Sequence, residues 1–252
     1  MKKIVLPIAM IASTLLFNYS CSKKSSSPPC KLITLTEVDG TSTSTDNITY
    51  NSDNKVATIT STMVNGGTTS SSNTVCTYAG NVIMKTATST SGGSTTTTTD
   101  SIGLNSAGYV IADMTRYSNS SDYYYTTFTY DANNQLLKST SQSNGGPVTT
   151  SIASYSNGDI TYLASPGDTT YLYYNTSRPS GNDDYLYLAE KVQYGGALVY
   201  KTAHQLQALK YSGGSAIVNL DYTYDSKGNL ATMIYTQGSD IQNYSFQYDC
   251  GN

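Results

Sequence analysis

The sequence predicts an all-β fold: an antiparallel meander of repeated hairpins, rolled or closed into a soluble barrel-like sheet. Three observations carry that expectation. An apolar-Thr-Tyr unit recurs along the chain, Asn- and Gly-rich turns punctuate it, and the aromatic content is 24 Tyr against 3 Phe and no Trp in 252 residues.

The repeat comes first. Ile48-Thr49-Tyr50, Cys76-Thr77-Tyr78, Phe128-Thr129-Tyr130 and Tyr222-Thr223-Tyr224 share one pattern. Each is followed by polar turn residues and an apolar restart at Val56, Val82, Leu136 or Leu230. Weaker copies lie at Leu104 to Val110 and Tyr155 to Ile160, and a truncated one closes the chain at Phe246 to Asp249. From Tyr50 the anchors fall at 78, 104, 130 and 155, a spacing that suits two strands and two turns per unit. Alternation of apolar residues with Thr has the period of two that puts one strand face on a core and the other in water.

The turns are the second observation. Asp, Asn, Ser and Gly after each Tyr supply left-handed backbone and side-chain caps. The opposite turns, Asn65-Gly66-Gly67, Ser91-Gly92-Gly93, Asn144-Gly145-Gly146 and Gly238-Ser239-Asp240, reverse the chain again. Sequential strands are then neighbours, and about 14 to 16 strands are expected. A sheet this long must curl or close, because strongly twisted open sheets rarely exceed ~10 strands. The rhythm breaks once, between Asn175 and Gly214. An insertion packed against the sheet, at one open end, is expected there, with Lys201 to Lys210 forming a short helix or a strand whose apolar side is Leu206 and Leu209.

Composition bounds the rest. Tyr in place of Phe and Trp makes the core half amphipathic, so each buried phenol needs a hydrogen-bond partner. Charged residues are only 12%, and without Lys2 and Lys3 there remain 12 basic against 17 acidic residues, a net −5. That sign disfavours nucleic acid as a partner. A lipid-facing wall would alternate Leu, Val and Phe; here the alternates are Thr, Ser, Asn and Lys, which favours a soluble barrel.

The N-terminus predicts export. Met1 to Lys3 supply a positive region, Ile4 to Phe17 an apolar core shorter than the roughly 20 residues of a membrane span, and Asn18 to Cys21 a polar exit. Residues 1–20 are therefore a signal peptide and 21–29 a lipidated tether, with the Cys21 thiol accepting diacylglycerol. Residues 30–252 form a single all-β repeat domain. Ser22 is not the Asp that retains bacterial lipoproteins at the inner membrane, so the outer membrane is the expected address. Cys30 and Cys250 flank the domain and are a candidate disulfide in an oxidising envelope; Cys76 takes an apolar repeat position.

Phe128 to Leu136 (FTYDANNQL) and Tyr222 to Leu230 (YTYDSKGNL) resemble the tyrosine-aspartate (YD) repeats of Rhs-type shell proteins. With the lipoprotein signal, the Cys30-Lys31-Leu32-Ile33 start and the Tyr244 to Cys250 end, the chain resembles a family of uncharacterised Bacteroidota envelope lipoproteins with a porin-like domain of unknown function. The resemblance implies a meander barrel and a phylum, and carries no activity or site residues. In that phylum acidic residues after the lipidated Cys mark surface export; Lys23 and Lys24 stand there instead, favouring the periplasmic side.

No catalytic constellation stands out. His204 is the only imidazole, without a Gly-x-Ser-x-Gly elbow, and reads as an ordinary loop or helix residue. Asp183 and Asp184, with Glu190 downstream, could act as acid and base only if set about 5 to 10 Å apart. The Asp131 and Asp225 turns lack the later bidentate Glu of a calcium loop. No close Cys pair suggests a metal, and no cofactor is implied. The aromatic cluster Tyr123, Tyr125, Tyr171, Tyr173, Tyr185 and Tyr187 is the candidate ligand face, suited to a glycan or peptide; filling of a barrel interior accounts for the same residues. A non-enzymatic binding or structural module is expected, with a hydrolase of envelope or dietary polymer, or a carrier of an apolar ligand, as alternatives.

Overall fold

The computed structural model describes residues 30–118, 120–180, 192–195, 197–214 and 216–251. The expected signal peptide and tether with Cys21, and Asp183, Asp184, Tyr185, Tyr187 and Glu190, lie outside them. Sixteen strands among the described residues form one closed antiparallel barrel in which each strand pairs with the next and the first with the last. They are β1 (Lys31–Asp39), β2 (Ser42–Tyr50), β3 (Val56–Asn65), β4 (Thr68–Ala79), β5 (Val82–Ser91) and β6 (Ser94–Leu104). Next come β7 (Val110–Tyr117), β8 (Tyr123–Tyr130), β9 (Leu136–Ser143), β10 (Thr149–Ser156) and β11 (Asp159–Ser165). The last are β12 (Asp168–Pro179), β13 (His204–Tyr211), β14 (Ile217–Tyr224), β15 (Leu230–Gln237) and β16 (Asp240–Asp249). The meander read from the repeat is the observed topology, and the sheet closes rather than merely curling. Closure removes the unpaired edges that a long meander would expose.

The repeat now has a physical account. Asn51, Asn105, Asp131 and Asp225 each accept, through Oδ1, the backbone N–H groups two and four residues on, at 2.8–3.0 Å. The fourth turn residue is left-handed every time, at Asn54, Gly108, Asn134 and Gly228, where Asn or Gly carries the least strain. At the strand end before the turn, the tyrosine turns inward and staples its strand to the start of the preceding one. Tyr50, Tyr78 and Tyr130 donate to the carbonyls of Leu32, Val56 and Val110 at 2.7–2.8 Å. Tyr155 accepts from the Leu136 N–H at 3.1 Å. In the last full unit Tyr222 donates to the Leu206 carbonyl, while Tyr224 meets Gln205.

All these turns lie at one end of the barrel, together with the Cys30–Cys250 disulfide. Here the wall is apolar inside. Directly opposed residues share a face, and the rows Ile48–Ile59, Ile83–Ile102 and Leu172–Leu209–Val218 are all buried.

Sixteen strands about 4.8 Å apart and tilted roughly 40° would wrap a cylinder about 16 Å in backbone radius, too wide for wall side chains to meet. Residues 192–195 and 197–203 fill that space. Val192, Tyr194, Ala197 and Val199 are buried and join the two apolar clusters that occupy the turn end. The segment is tied down on several sides. Val110 N–H donates to the Leu198 carbonyl at 2.8 Å, Ala203 N–H to Gly158 at 3.0 Å, and Lys201 Nζ to Asn133 at 3.2 Å. Tyr194 packs edge-on against Phe128.

One expectation changes here. The insertion was expected to pack against the sheet; its described part plugs the lumen, because a barrel this wide needs a filler. Of the two forms expected for Lys201 to Lys210, a short helix or a strand, the strand is found: β13 begins at His204. A register shift opposite Tyr173/Tyr174 skips Gln207, so Leu206 and Leu209 both face inward despite their helix-like spacing.

Candidate functional site

The inner face changes character along the strands. At the plugged end inward residues such as Leu32, Ile102 and Leu206 are fully buried. Towards the opposite rim Met63 and Tyr124, which share the inner face with Ser44 and Thr115, are 42% and 54% exposed. Water therefore enters the lumen from that rim. Among the described residues the barrel is a cup: plugged at the end of the Asn and Asp turns, open at the end of the Gly-Gly turns.

The cup is lined by hydroxyls and by two groups of charges. On β1 and β2, Asp39, Glu37 and Asp46 descend from the rim inward. Asp39 is exposed, Glu37 half-buried and Asp46 2% exposed. Tyr244 Oη lies 3.2 Å from Glu37 Oε1 and 3.0 Å from Gln242 Oε1, and Gln242 Nε2 donates to Asp39 at 3.4 Å. Burial pushes the Glu37 carboxyl above its usual range, with the Tyr244 hydrogen bond opposing. Burial likewise raises Asp46, although Ser61 donates to it. Asp46 Oδ1 has no hydrogen-bond partner among the described residues.

The second group, on β5 to β7, is Lys85, Asp100 and Asp113. Lys85 Nζ pairs with Asp100 at 3.2 Å and also donates to the plug carbonyl of Gln193. Asp113, whose Oδ1 is likewise buried without a partner, is pushed up to about 7 by burial, with Asp100 adding to the rise and Lys85 opposing it.

Tyr123, Tyr125, Tyr171 and Tyr173, the described part of the expected ligand face, sit on the outer wall. Tyr125 is opposite Met114 and Gln142, and Tyr171 and Tyr173 flank the inward Leu172. They do not fill the interior. Nor do they form one platform, because β9, β10 and β11 separate the two pairs. Tyr171 instead meets Tyr162 edge-on at 6.4 Å, and Tyr124, between the two β8 tyrosines, meets Tyr117 at 6.1 Å on the inner side.

His204 has a partner that the sequence did not suggest. Its Nδ1 lies 2.7 Å from Asp159 Oδ2, while Asp159 Oδ1 accepts the N–H groups of Ala203 and His204 at 2.9 and 2.8 Å. The two are 45 residues apart and meet only because β11 and β13 flank β12. Among the described residues no hydroxyl or thiol hydrogen-bonds the other ring nitrogen, so the pair has a base and its orienter but no nucleophile. Cys76 does not supply one: it is buried beneath the plug, and burial pushes its thiol up to about 11. The Asp131 and Asp225 carboxylates are occupied by their own turns, and no metal-holding group of side chains occurs among the described residues.

No family model and no curated protein matches the chain. Among solved structures it is similar to a porin-like protein from Bacteroides uniformis, with a TM-score of 0.64 and 16% identity over 88% of this chain and 99% of that one. At that identity the likeness shows a shared barrel fold.

Proposed function

We propose that the chain is a lipoprotein of the bacterial cell envelope, held at the outer membrane by acylated Cys21 and facing the periplasm, with a non-enzymatic barrel that binds a ligand in its open cup. The observation that carries the binding reading is the asymmetry of the lumen. Among the described residues one end is filled with apolar side chains and a plug, and the other opens over hydroxyls, tyrosines and carboxylates. Ligands dock in concave sites where aromatic side chains and a few polar groups converge.

The outer wall supports a barrel standing in water. Hydroxyl pairs pave it, including Thr49–Thr58, Thr127–Thr140 and Thr223–Thr232 at 2.6–2.7 Å, where a bilayer would call for an apolar band. The YD-like hairpins and the N-terminal signal support membership of the envelope lipoprotein family that the sequence resembles.

A second reading places a glycan or peptide on the outer strip of Tyr162, Tyr171 and Tyr173, of which the last two are 43% and 47% exposed. Glycan and peptide arrays probed with the full chain in detergent separate the two. Loss of binding in Tyr124→Ala supports the cup, and loss in Tyr171→Ala/Tyr173→Ala the strip. Labelled fatty acid should enter the parent and not Cys21→Ala, which should leave the membrane fraction. A Cys21→Ala barrel that resists urea extraction from membranes would mean that the wall itself inserts.

A further inference from the structure

The two charged groups of the cup differ in one respect. Lys85 balances Asp100, whereas Asp39, Glu37 and Asp46 have no countercharge among the described residues. Among the described residues no Lys or Arg stands on the rim-side halves of β15, β16, β1, β2 or β3, on either face. Three carboxylates without a cation would be unremarkable in a solvated loop. Here the deepest is almost completely buried, and one of its oxygens meets no donor. A buried carboxylate oxygen without a donor is costly and asks for a proton or a ligand.

The spacing selects the kind of ligand. Glu37 and Asp39 are two residues apart on one strand, a step of about 7 Å. Asp46 lies one inward position deeper on the neighbouring strand, since Glu37 faces Ser44 and Leu35 faces Asp46. No group of three metal-ligating side chains occurs among the described residues, and carboxylates stepped along the wall match charges distributed along a chain. Tyr244 and Tyr235 line the same sector, opposite Met233 and Gln242, and aromatic faces beside carboxylates suit ammonium groups.

We propose that the Asp39–Glu37–Asp46 ladder is a binding site for a linear organic polyamine, which enters from the rim and places its leading ammonium at Asp46 Oδ1. This rests on the reading of the cup as the ligand site. The ladder recognises charge spaced along a flexible chain, and Gln242 and Ser44 complete the wall with neutral hydrogen-bonding groups.

The test is calorimetric titration of the full chain in detergent with spermine at low salt. Saturable binding is expected, weakened about tenfold or more in Glu37→Gln/Asp46→Asn, the effect of removing charge-assisted hydrogen bonds. Asp221→Asn, on the outer face of β14, should bind like the parent. Glu37→Gln alone, at a half-buried site, carries the test if the double variant melts early. No saturation by about 1 mM spermine, or equal loss in Asp221→Asn, overturns the proposal. If spermine fails while an array ligand is lost in Tyr124→Ala, the polyamine assignment falls and the cup reading stands; if no ligand responds to Tyr124→Ala, both fall.

Discussion

Lys85, on the inner face of β5, donates through Nζ to the main-chain carbonyl of Gln193, 108 residues later in the chain. It is 8% exposed and holds Asp100 at 3.2 Å with the same ammonium. One cation therefore fastens the plug to the wall and neutralises the carboxylate beside it. Lys85→Met should remove both functions and leave Asp100 half-buried and unpaired, at a cost of about 3 kcal/mol. Hydrogen exchange should rise in the peptide spanning 192–203 before the strands open. Unchanged protection there would show that the apolar contacts alone hold the plug.

Gly195 sits where the plug crosses β4 and β5, at a φ of +52°. A Cβ there would lie 3.1 Å from Cys76 Sγ and 3.2 Å from Ile83 Cγ2. Gly195→Ala combines backbone strain with overpacking and should cost about 1–3 kcal/mol. Maleimide labelling reads the same contact. Cys76 should be inert in the folded parent and become reactive in Gly195→Ala under conditions where far-UV circular dichroism is unchanged. An equally inert thiol in the variant would place the plug elsewhere.

The tyrosine staples should be separable from the apolar core. Tyr50→Phe and Tyr130→Phe each keep the ring and remove the hydroxyl that reaches the Leu32 or Val110 carbonyl. Each should cost about 1 kcal/mol in urea denaturation, with the costs adding because the sites are far apart. Tyr78→Phe should cost more, since its hydroxyl also meets the Gly195 carbonyl and so joins strand to plug.

Asp113 predicts a pH dependence. Its folded pKa of about 7 lies well above that of an unfolded aspartate, about 3.9, so the fold prefers the protonated carboxyl. The stability this contributes is complete below about pH 4 and is lost as pH rises to about 7. The groups acting on it are Asp100, which adds to the rise, and Lys85, which opposes it. Asp113→Asn should melt like the parent near pH 4 and several degrees higher near pH 8. A constant difference across that range would rule out titration of Asp113 as the cause.

Much of this was legible in the residues. Apolar-Thr-Tyr alternation fixes strand faces through a period of two, and an Asn or Asp at the head of four of the turns supplies its own hydrogen bonds to the loop. These are local effects, so Tyr50, Asn51 and Val56 announce a hairpin without reference to the rest of the chain. What lies inside the barrel is different. The plug exists because sixteen strands enclose more space than their side chains fill, a consequence of strand number that no single repeat carries. The Asp39–Glu37–Asp46 ladder follows from the register of one hairpin and the His204–Asp159 pair from β11 and β13 flanking β12, but which face of each strand becomes the interior, and so the outward turn of Tyr171 and Tyr173, depends on how the sheet closes. Sequence by itself determined the hairpin and its repetition, because those forces act within about twenty residues; the enclosed lumen and the plug inside it were decided by closure, which joins β1 to β16 across the whole chain.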